Sequence, residues 1–175
     1  MLIKNLETES DIQATAQLYC EIWKEPPWNE DFWKPEEVVR DIKTQLTKPN
    51  AIFLIATNGT DEVIGFTWGY QVSTGILSEI SGVSVEDWRK VISNKEVFYI
   101  DEFGTKRSYR RKGIGTKLVR ELLEQLSHTD IKLTTLRTNK SALPARAIYS
   151  QMGFQEIGIQ DTKHQDRTYW MRTHK

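Results

Sequence analysis

The run Arg110-Arg111-Lys112-Gly113-Ile114-Gly115 lies between a strand-like segment, Val97 to Thr105, and a helical pattern in which Leu118, Val119, Leu122, Leu123 and Leu126 share one face. A strand, a tight basic glycine turn and a helix start, in that order, constrain the fold strongly because together they build a cradle for a polyphosphate. The glycines let the backbone approach an anion closely and accept turn geometries that a β-carbon penalises. Unpaired N–H groups at the helix start then point at the bound oxygens, with the positive end of the helix dipole behind them. A P-loop requires Gly-x-x-x-x-Gly-Lys-Ser/Thr and a dinucleotide fold requires Gly-x-Gly-x-x-Gly. Gly113-Ile114-Gly115-Thr116-Lys117 fits neither, and the expected ligand is a pyrophosphate.

The charge pattern points the same way. The net charge of zero hides a separation: Phe103 to Arg120 holds seven basic residues and no acid, which leaves 17 basic against 24 acidic residues elsewhere. The acids are dense from Glu21 to Asp41. An anionic cofactor meeting a cationic amine would produce this pattern, and for the acidic cluster alone a solvated helical surface is the competing explanation.

With 175 residues the chain is expected to form a single domain over 1–175. It has no spanning apolar run and no signal-like apolar core, so no membrane partner and a cytoplasmic location are expected. The lone Cys20 excludes an intrachain disulfide, and His128, His164 and His174 have no metal-ligand spacing, so no metal is expected.

The patterning predicts a strand at Leu2 to Leu6, then a helix capped by Ser10 or Asp11 with Ile12, Thr15, Ala16, Tyr19, Ile22 and Trp23 on one face. A second helix opens at Pro35 and carries Val38, Val39, Ile42 and Leu46. Ala51 to Thr57 and Val63 to Tyr70 read as a hairpin, with Gly65 marking a bulge or a close approach. Ser73 to Lys95 reads as a connection with one short helix from Ser84 through Ile92, ahead of a central strand Glu96 to Thr105. Ile131 to Thr138 is strand-like, Pro144 to Met152 helical, and Gln155 to Gln160 with Arg167 to Arg172 a terminal hairpin. The order βααββ then βαβαββ gives an α/β mixed sheet with helices on both faces.

The spacing Arg-x-x-Gly-x-Gly from Arg110 to Gly115 resembles the acetyl-coenzyme A signature of the GNAT superfamily of N-acetyltransferases. Ala145 to Phe154 resembles that family's second signature, an Ala-rich helix carrying a Tyr and closed by Gly-Phe. The resemblance covers the C-terminal half closely and the N-terminal half loosely. It implies the GNAT-like acyl-CoA N-acyltransferase fold and acetyl-CoA as co-substrate. The backbone of Phe103, Gly104 and Thr105 would then pair with the pantetheine arm, and Arg110, Arg111, Lys112, Gly113, Ile114, Gly115 and Thr116 would hold the pyrophosphate, with Arg146 in the same cofactor-binding set. Many members carry an Asn seven residues before the tyrosine, where this sequence has Ala142. Asn139 or Ser141 is the nearby polar substitute.

Acetyl transfer to an amine needs a base, because an alkyl amine with a reference pKa of about 10.4 is mostly protonated in water. Asp101 and Glu102 on the central strand are the candidates, Glu102 first by resemblance; Tyr-Ile-Asp-Glu ahead of a glycine turn also resembles some aminoglycoside 6'-N-acetyltransferases. Alternation along a strand sends only one of the two carboxylates to a given face unless a bulge intervenes. Tyr149 matches the family position whose phenol protonates the departing thiolate. Pro26 to Glu30 resembles the loop that overhangs the acceptor, with Trp28, Glu30 and Trp68 as candidate acceptor contacts, alongside Tyr19, Trp33 and Tyr70. Cys20 lies in the first helix with no histidine near it in sequence, so direct attack in a ternary complex is expected rather than a covalent relay.

The expected activity is transfer of acetyl from acetyl-CoA to a primary amine on a small molecule. Two other readings stay open: a non-catalytic acyl-CoA sensor or scaffold, and a nucleic-acid module using Lys106 to Arg120. Against the nucleic-acid reading stand the zero net charge and the unexplained glycine turn, so no nucleic-acid partner is expected. Similar proteins are commonly dimers, which makes a homodimer one expected assembly.

Overall fold

The computed structural model describes residues 1–92 and 96–174. Its elements are β1 (Leu2–Asn5), α1 (Glu9–Trp23), α2 (Pro35–Gln45), β2 (Ile52–Thr57), β3 (Val63–Ser73), α3 (Thr74–Ser81), α4 (Val85–Val91), β4 (Glu96–Thr105), α5 (Ile114–Ser127), β5 (Leu133–Asn139), α6 (Leu143–Gln151), β6 (Gln155–Gln160) and β7 (Arg167–Thr173). A single 3-10 turn, Arg107–Tyr109, leads from β4 into the glycine turn. The strands form one seven-stranded sheet in the order β1-β2-β3-β4-β5-β7-β6, antiparallel except where β4 runs parallel to β5.

Helices cover both faces, as the amphipathic patterns require. On one face α1 and α2 bury Ile12, Ala16, Ile22, Val38 and Ile42 against Phe53, Phe66 and Trp68 of β2 and β3. On the other, α5 buries its leucine stripe against Leu54, Ile64, Phe98 and Ile100. A third cluster joins α3 and α4 to the sheet: Trp88 meets Tyr169 edge-on at 4.9 Å, and its indole N–H donates to Ser81 Oγ at 2.9 Å.

Apart from shifts of one to three residues at element ends, the elements depart from the sequence expectation in two places. Helix α1 is capped by Thr8, whose hydroxyl accepts from the N–H of Asp11, so the cap lies two residues before the expected Ser10 and three before Asp11. The connection after β3 holds two helices where one is expected. Ser73 caps α3 and Gly82 ends it in the left-handed region (φ 72°), ahead of the expected α4 with its Ser84 cap. The last three residues of that connection, 93–95, lie outside the described residues. Gly65 makes a close approach, with its α-carbon facing Ile114 and Leu118 of α5.

Two features of β4 position the site. The register between β3 and β4 shifts between Trp68 and Gly69: Trp68 opposes Glu102 while Gly69 opposes Ile100, so Asp101 is an extra residue. This β-bulge interrupts the alternation, and Asp101 and Glu102 turn to the same face. Secondly, β4 pairs with β5 only over Phe98–Ile100 and Thr134–Leu136, although both strands continue. Beyond Ile100 they part, while β4 stays bonded to β3 and β5 to β7.

Gly69 makes the bulge possible by close approach. A β-carbon there would lie 2.3 Å from the Tyr99 carbonyl oxygen and 2.5 Å from Phe98 Cε1. Gly69→Ala is therefore expected to destabilise the fold by about 1–3 kcal/mol, measured as a lower urea midpoint at unchanged m-value.

Candidate active site

Two connected hollows flank the gap between β4 and β5. The larger, a groove of about 850 Å³, runs from the pair Pro26-Pro27 past Phe103, Gly104 and Thr105 to Arg110, Arg111 and the start of α5 at Gly113 to Thr116. The smaller, of about 310 Å³, is walled by Tyr19, Trp28 and Trp33 and floored by Asp101, Glu102 and Tyr149. Trp28, Phe103 and Ala145 line both, so the hollows meet there.

The groove is built to receive an anion. Helix α5 begins without a side-chain cap and with no acidic residue in its first turn. The N–H groups of Ile114, Gly115 and Thr116 have no hydrogen-bond partner among the described residues, and the first internal bond is Lys117 N–H to the Gly113 carbonyl at 3.1 Å. Arg111 (φ 61°) and Gly113 (φ 77°) both adopt left-handed backbone, which curls the turn around the helix start. Arg110 reaches back to bond the Thr105 carbonyl (3.0 Å) and pairs with Glu25 (2.6 Å). These features fit a diphosphate followed by an extended arm along the free edge of β4.

The smaller hollow holds the titratable groups. Tyr19 donates its hydroxyl to Glu102 (3.1 Å), and Tyr70 donates to Asp101 (2.8 Å). Burial, then the neighbouring Asp101 charge, push the Glu102 carboxyl well above the usual carboxylate range. Burial also raises Asp101, against the opposing hydrogen bond from Tyr70. Tyr149 is buried, with its ring 5.9 Å from those of Phe103 and Phe154, and its hydroxyl makes no hydrogen bond among the described residues. Burial and the Glu102 charge raise its pKa further above that of an ordinary phenol.

The sequence-expected site residues divide on these observations. Glu102, Asp101, Tyr149, Trp28 and Glu30 converge on the smaller hollow, and Phe103, Gly104, Thr105, Arg110, Arg111, Gly113, Ile114, Gly115 and Thr116 line the groove. Four do not fit. Trp68 is a core residue, fully buried beside Phe53 and Phe66, with its indole N–H donating to Gln45 (2.7 Å). The inward alternation of β3 points it beneath α1 and α2 rather than into the hollow. Asn139 is buried as a turn-former: its oxygen accepts from the Ser141 N–H (2.8 Å) and its amide donates to Asp166, so Ser141 and Ala142 line the groove in its place. Arg146 turns away to the Lys140 carbonyl, Glu156 and the Trp170 ring. The Lys112 ammonium sits 4.8 Å from the Tyr109 ring centre and lines neither hollow. Cys20 is buried in the core, its thiol pKa raised by burial, and lines neither hollow.

Sequence reasoning missed Arg137, Arg167 and His164, which line the smaller hollow. Arg137 bonds the fully buried Asp161 at 3.1 Å, and Arg167 lies over the Trp28 ring at 4.5 Å.

Comparison with known proteins agrees with this geometry. The model of the acetyltransferase (GNAT) family matches residues 13–154, and the chain belongs to that family. No curated protein matches it in sequence. Among solved structures, a GNAT-family acetyltransferase from Staphylococcus aureus Mu50 superposes with a TM-score of 0.72 at 16% identity, covering 99% of each chain. PaiA N-acetyltransferase from Thermoplasma acidophilum, in complex with coenzyme A, gives 0.70 at 14% identity, covering 99% of this chain and 100% of the other. Aminoglycoside 6'-acetyltransferase type Ii gives 0.66 at 15% identity, covering 99% and 97%. At such identities the likeness is one of fold.

The raised Glu102 carboxyl carries a stability consequence. At low pH the folded and unfolded states both hold the proton. As pH rises from the ordinary value of 4.5 through the raised folded value, the unfolded state releases its proton first and gains on the folded state. Glu102→Gln keeps an acceptor for Tyr19 and removes this penalty. The variant is expected to melt about 2–4 °C above the parent at pH 8 and to show a smaller gain at pH 4, read by thermal denaturation at both pH values.

Proposed function

We propose that this chain is an acetyl-CoA-dependent N-acetyltransferase acting on a primary amine of a small molecule by direct attack in a ternary complex. The observation that carries this reading is the meeting of an anion-receiving groove with a hollow holding two carboxylates and an unbonded phenol, at Trp28, Phe103 and Ala145. Acetyl-CoA supplies an acyl group on a sulfur leaving group. The chain supplies position and proton transfer.

The first turn of α5 and Arg111 hold the diphosphate, and the open edge of β4 from Phe103 to Thr105 receives the pantetheine arm. This leads the acyl carbon from the groove into the hollow, beside Tyr149. An amine entering as its ammonium form is attracted to Asp101 and Glu102, whose combined charge also disfavours leaving both ionised. Glu102, with its raised proton affinity, takes the first proton from nitrogen and frees the lone pair for attack. When the carbon–sulfur bond breaks, Tyr149 gives its proton to sulfur and recovers one from the newly acylated nitrogen. The products are the amide, the free thiol and one proton left on Glu102, which escapes to solvent. Because the Tyr149 pKa is raised above the phenol value of 10.0, the hydroxyl keeps its proton at neutral pH until the thiolate forms.

Two substitutions, Thr116→Glu and Tyr149→Phe, separate binding from chemistry. Thr116→Glu places an acid in the first turn of α5, a position that ordinarily favours helix stability. Its melting temperature is expected to be unchanged or higher, while the acetyl-CoA Kd rises about tenfold or more through repulsion of the diphosphate, measured by calorimetric titration. Tyr149→Phe removes a hydroxyl that makes no hydrogen bond among the described residues. It is expected to keep the parent Tm and acetyl-CoA Kd while kcat falls about 10²-fold, measured as free-thiol release. The acid limb of the kcat/KM profile is expected above the ordinary carboxylate range, reflecting the raised Glu102, and to disappear in Glu102→Gln.

A further inference from the structure

The smaller hollow has two electrical ends. Asp101 and Glu102 project from β4 on one side of the gap, and Arg137 and Arg167 project from β5 and β7 on the other. Arg167 opposes Asn139 in the β5–β7 ladder and Arg137 opposes Tyr169, so the two guanidiniums are diagonal neighbours on one sheet face. The basic end is unevenly satisfied. Asp161 holds Arg137 from behind with a single hydrogen bond at 3.1 Å. The Arg167 guanidinium is held by long ion pairs alone, to Glu30 at 3.5 Å and Asp166 at 3.7 Å; its side chain makes no hydrogen bond among the described residues, and its Nε is buried without a hydrogen-bond partner. A guanidinium carries five donors arranged to meet a carboxylate in a fork, and stacking on Trp28 fixes the plane of this one beside the hollow.

We propose that the acceptor is amphoteric: a small amine that also carries a carboxylate, with the carboxylate held by Arg167 and flanked by Arg137 while the amino group faces Asp101 and Glu102. This rests on the acetyl-transfer reading of the same hollow. A hollow of about 310 Å³ suits a molecule of amino-acid size, and the Tyr19, Trp23 and Trp33 walls favour an apolar or aromatic side chain. A polyamine or aminoglycoside would instead set a second ammonium against the guanidiniums, which costs affinity through like-charge repulsion. His164, on the loop before β7, lines the same end and adds a further polar contact.

The test uses the full chain with acetyl-CoA. Acetyl-CoA binding is measured first, by thermal shift. Free-thiol release is then followed with L-phenylalanine, L-methionine and the series glycine, β-alanine and 6-aminohexanoate. The controls are L-phenylalaninamide and L-methioninamide, which lack the carboxylate, and spermidine and kanamycin as polycations. An amino acid is expected to be turned over with kcat/KM at least tenfold above its amide and above both polycations, and the length series reports how far apart the two ends lie. Arg167→Gln is expected to reduce the acid-over-amide preference to within twofold, and Arg167→Lys to restore part of it. As a readout independent of turnover, the preferred amino acid is expected to add to the thermal shift given by coenzyme A in the parent and not in Arg167→Gln. Absence of any acetyl-CoA shift would sink the acetyl-transfer reading and this inference with it. Acetyl-CoA binding accompanied by preference for the amide or a polycation, by an undiminished preference in Arg167→Gln, or by no turnover of any amino acid, overturns the amphoteric acceptor alone.

Discussion

The parting of β4 from β5 after Ile100 is the constraint on which the rest of the molecule depends. Two parallel strands would ordinarily stay paired along their shared length, because each unpaired backbone group must find another partner. Here the hydrogen bonding ends after three residue pairs, although β4 runs to Thr105 and β5 to Asn139. The arrangement is tolerable because each strand keeps its other neighbour: β4 is bonded to β3 up to Thr105, and β5 is bonded to β7 along its whole length. The gap therefore lies inside an otherwise continuous sheet: the free edge of β4 faces an elongated groove suited to an extended ligand, while β5 borders the smaller hollow through Arg137 and Thr138. The bulge at Asp101 lies immediately beyond the last β4–β5 pair, so the carboxylates turn towards the opening where the strands diverge.

Electrostatics then distinguishes the two hollows despite a net charge of zero. The groove does not owe its character to free lysines. Lys106 is paired with Glu62 (2.5 Å), Arg110 with Glu25, and Lys112 lies over an aromatic ring. What remains directed at the groove is Arg111 together with backbone N–H groups fixed by the turn, a donor set that suits a diphosphate and needs little reorganisation to bind it. In the smaller hollow the balance is reversed. Two carboxylates sit where water is restricted, and the hydroxyls of Tyr19 and Tyr70 offset only part of that cost. Their raised pKa values express the remainder, so the same desolvation that weakens the fold at neutral pH strengthens the base.

Much of this was legible in the sequence, because its strongest signals are local. The leucine stripe of α5, Pro35 at the start of α2, the Ser84 cap and the limits of β6 follow from periodicity and capping within a few residues. The glycine turn declares the anion site for the same reason. Local pattern fails where tertiary contacts decide. Thr8 caps α1 although Ser10 and Asp11 are equally suitable side chains, and the Ser73 cap of α3 is concealed because β3 runs three residues beyond its expected end. Trp68 has the composition of a pocket wall, but its place on an inner strand beneath two helices makes it core. Arg137 and Arg167 carry no motif and stand thirty positions apart in sequence, and only the β5–β7 ladder makes them neighbours.

The dependence on long-range pairing also explains why the site combines features from both halves of the chain. The carboxylates ride on β4, the phenol on α6 after the β5 crossover, and the aromatic walls on α1 and the loop that follows it. Helix α5 binds these parts together, since its buried face packs on β2, β3 and β4 while its first turn forms the end of the groove. A shift of α5 along its axis would move the anion cradle relative to the bulge, and the distance from diphosphate to carboxylates would change with it. The leucine stripe thus sets more than stability: by fixing the helix against the sheet it fixes the spacing between the place where an anion is held and the place where a proton is taken.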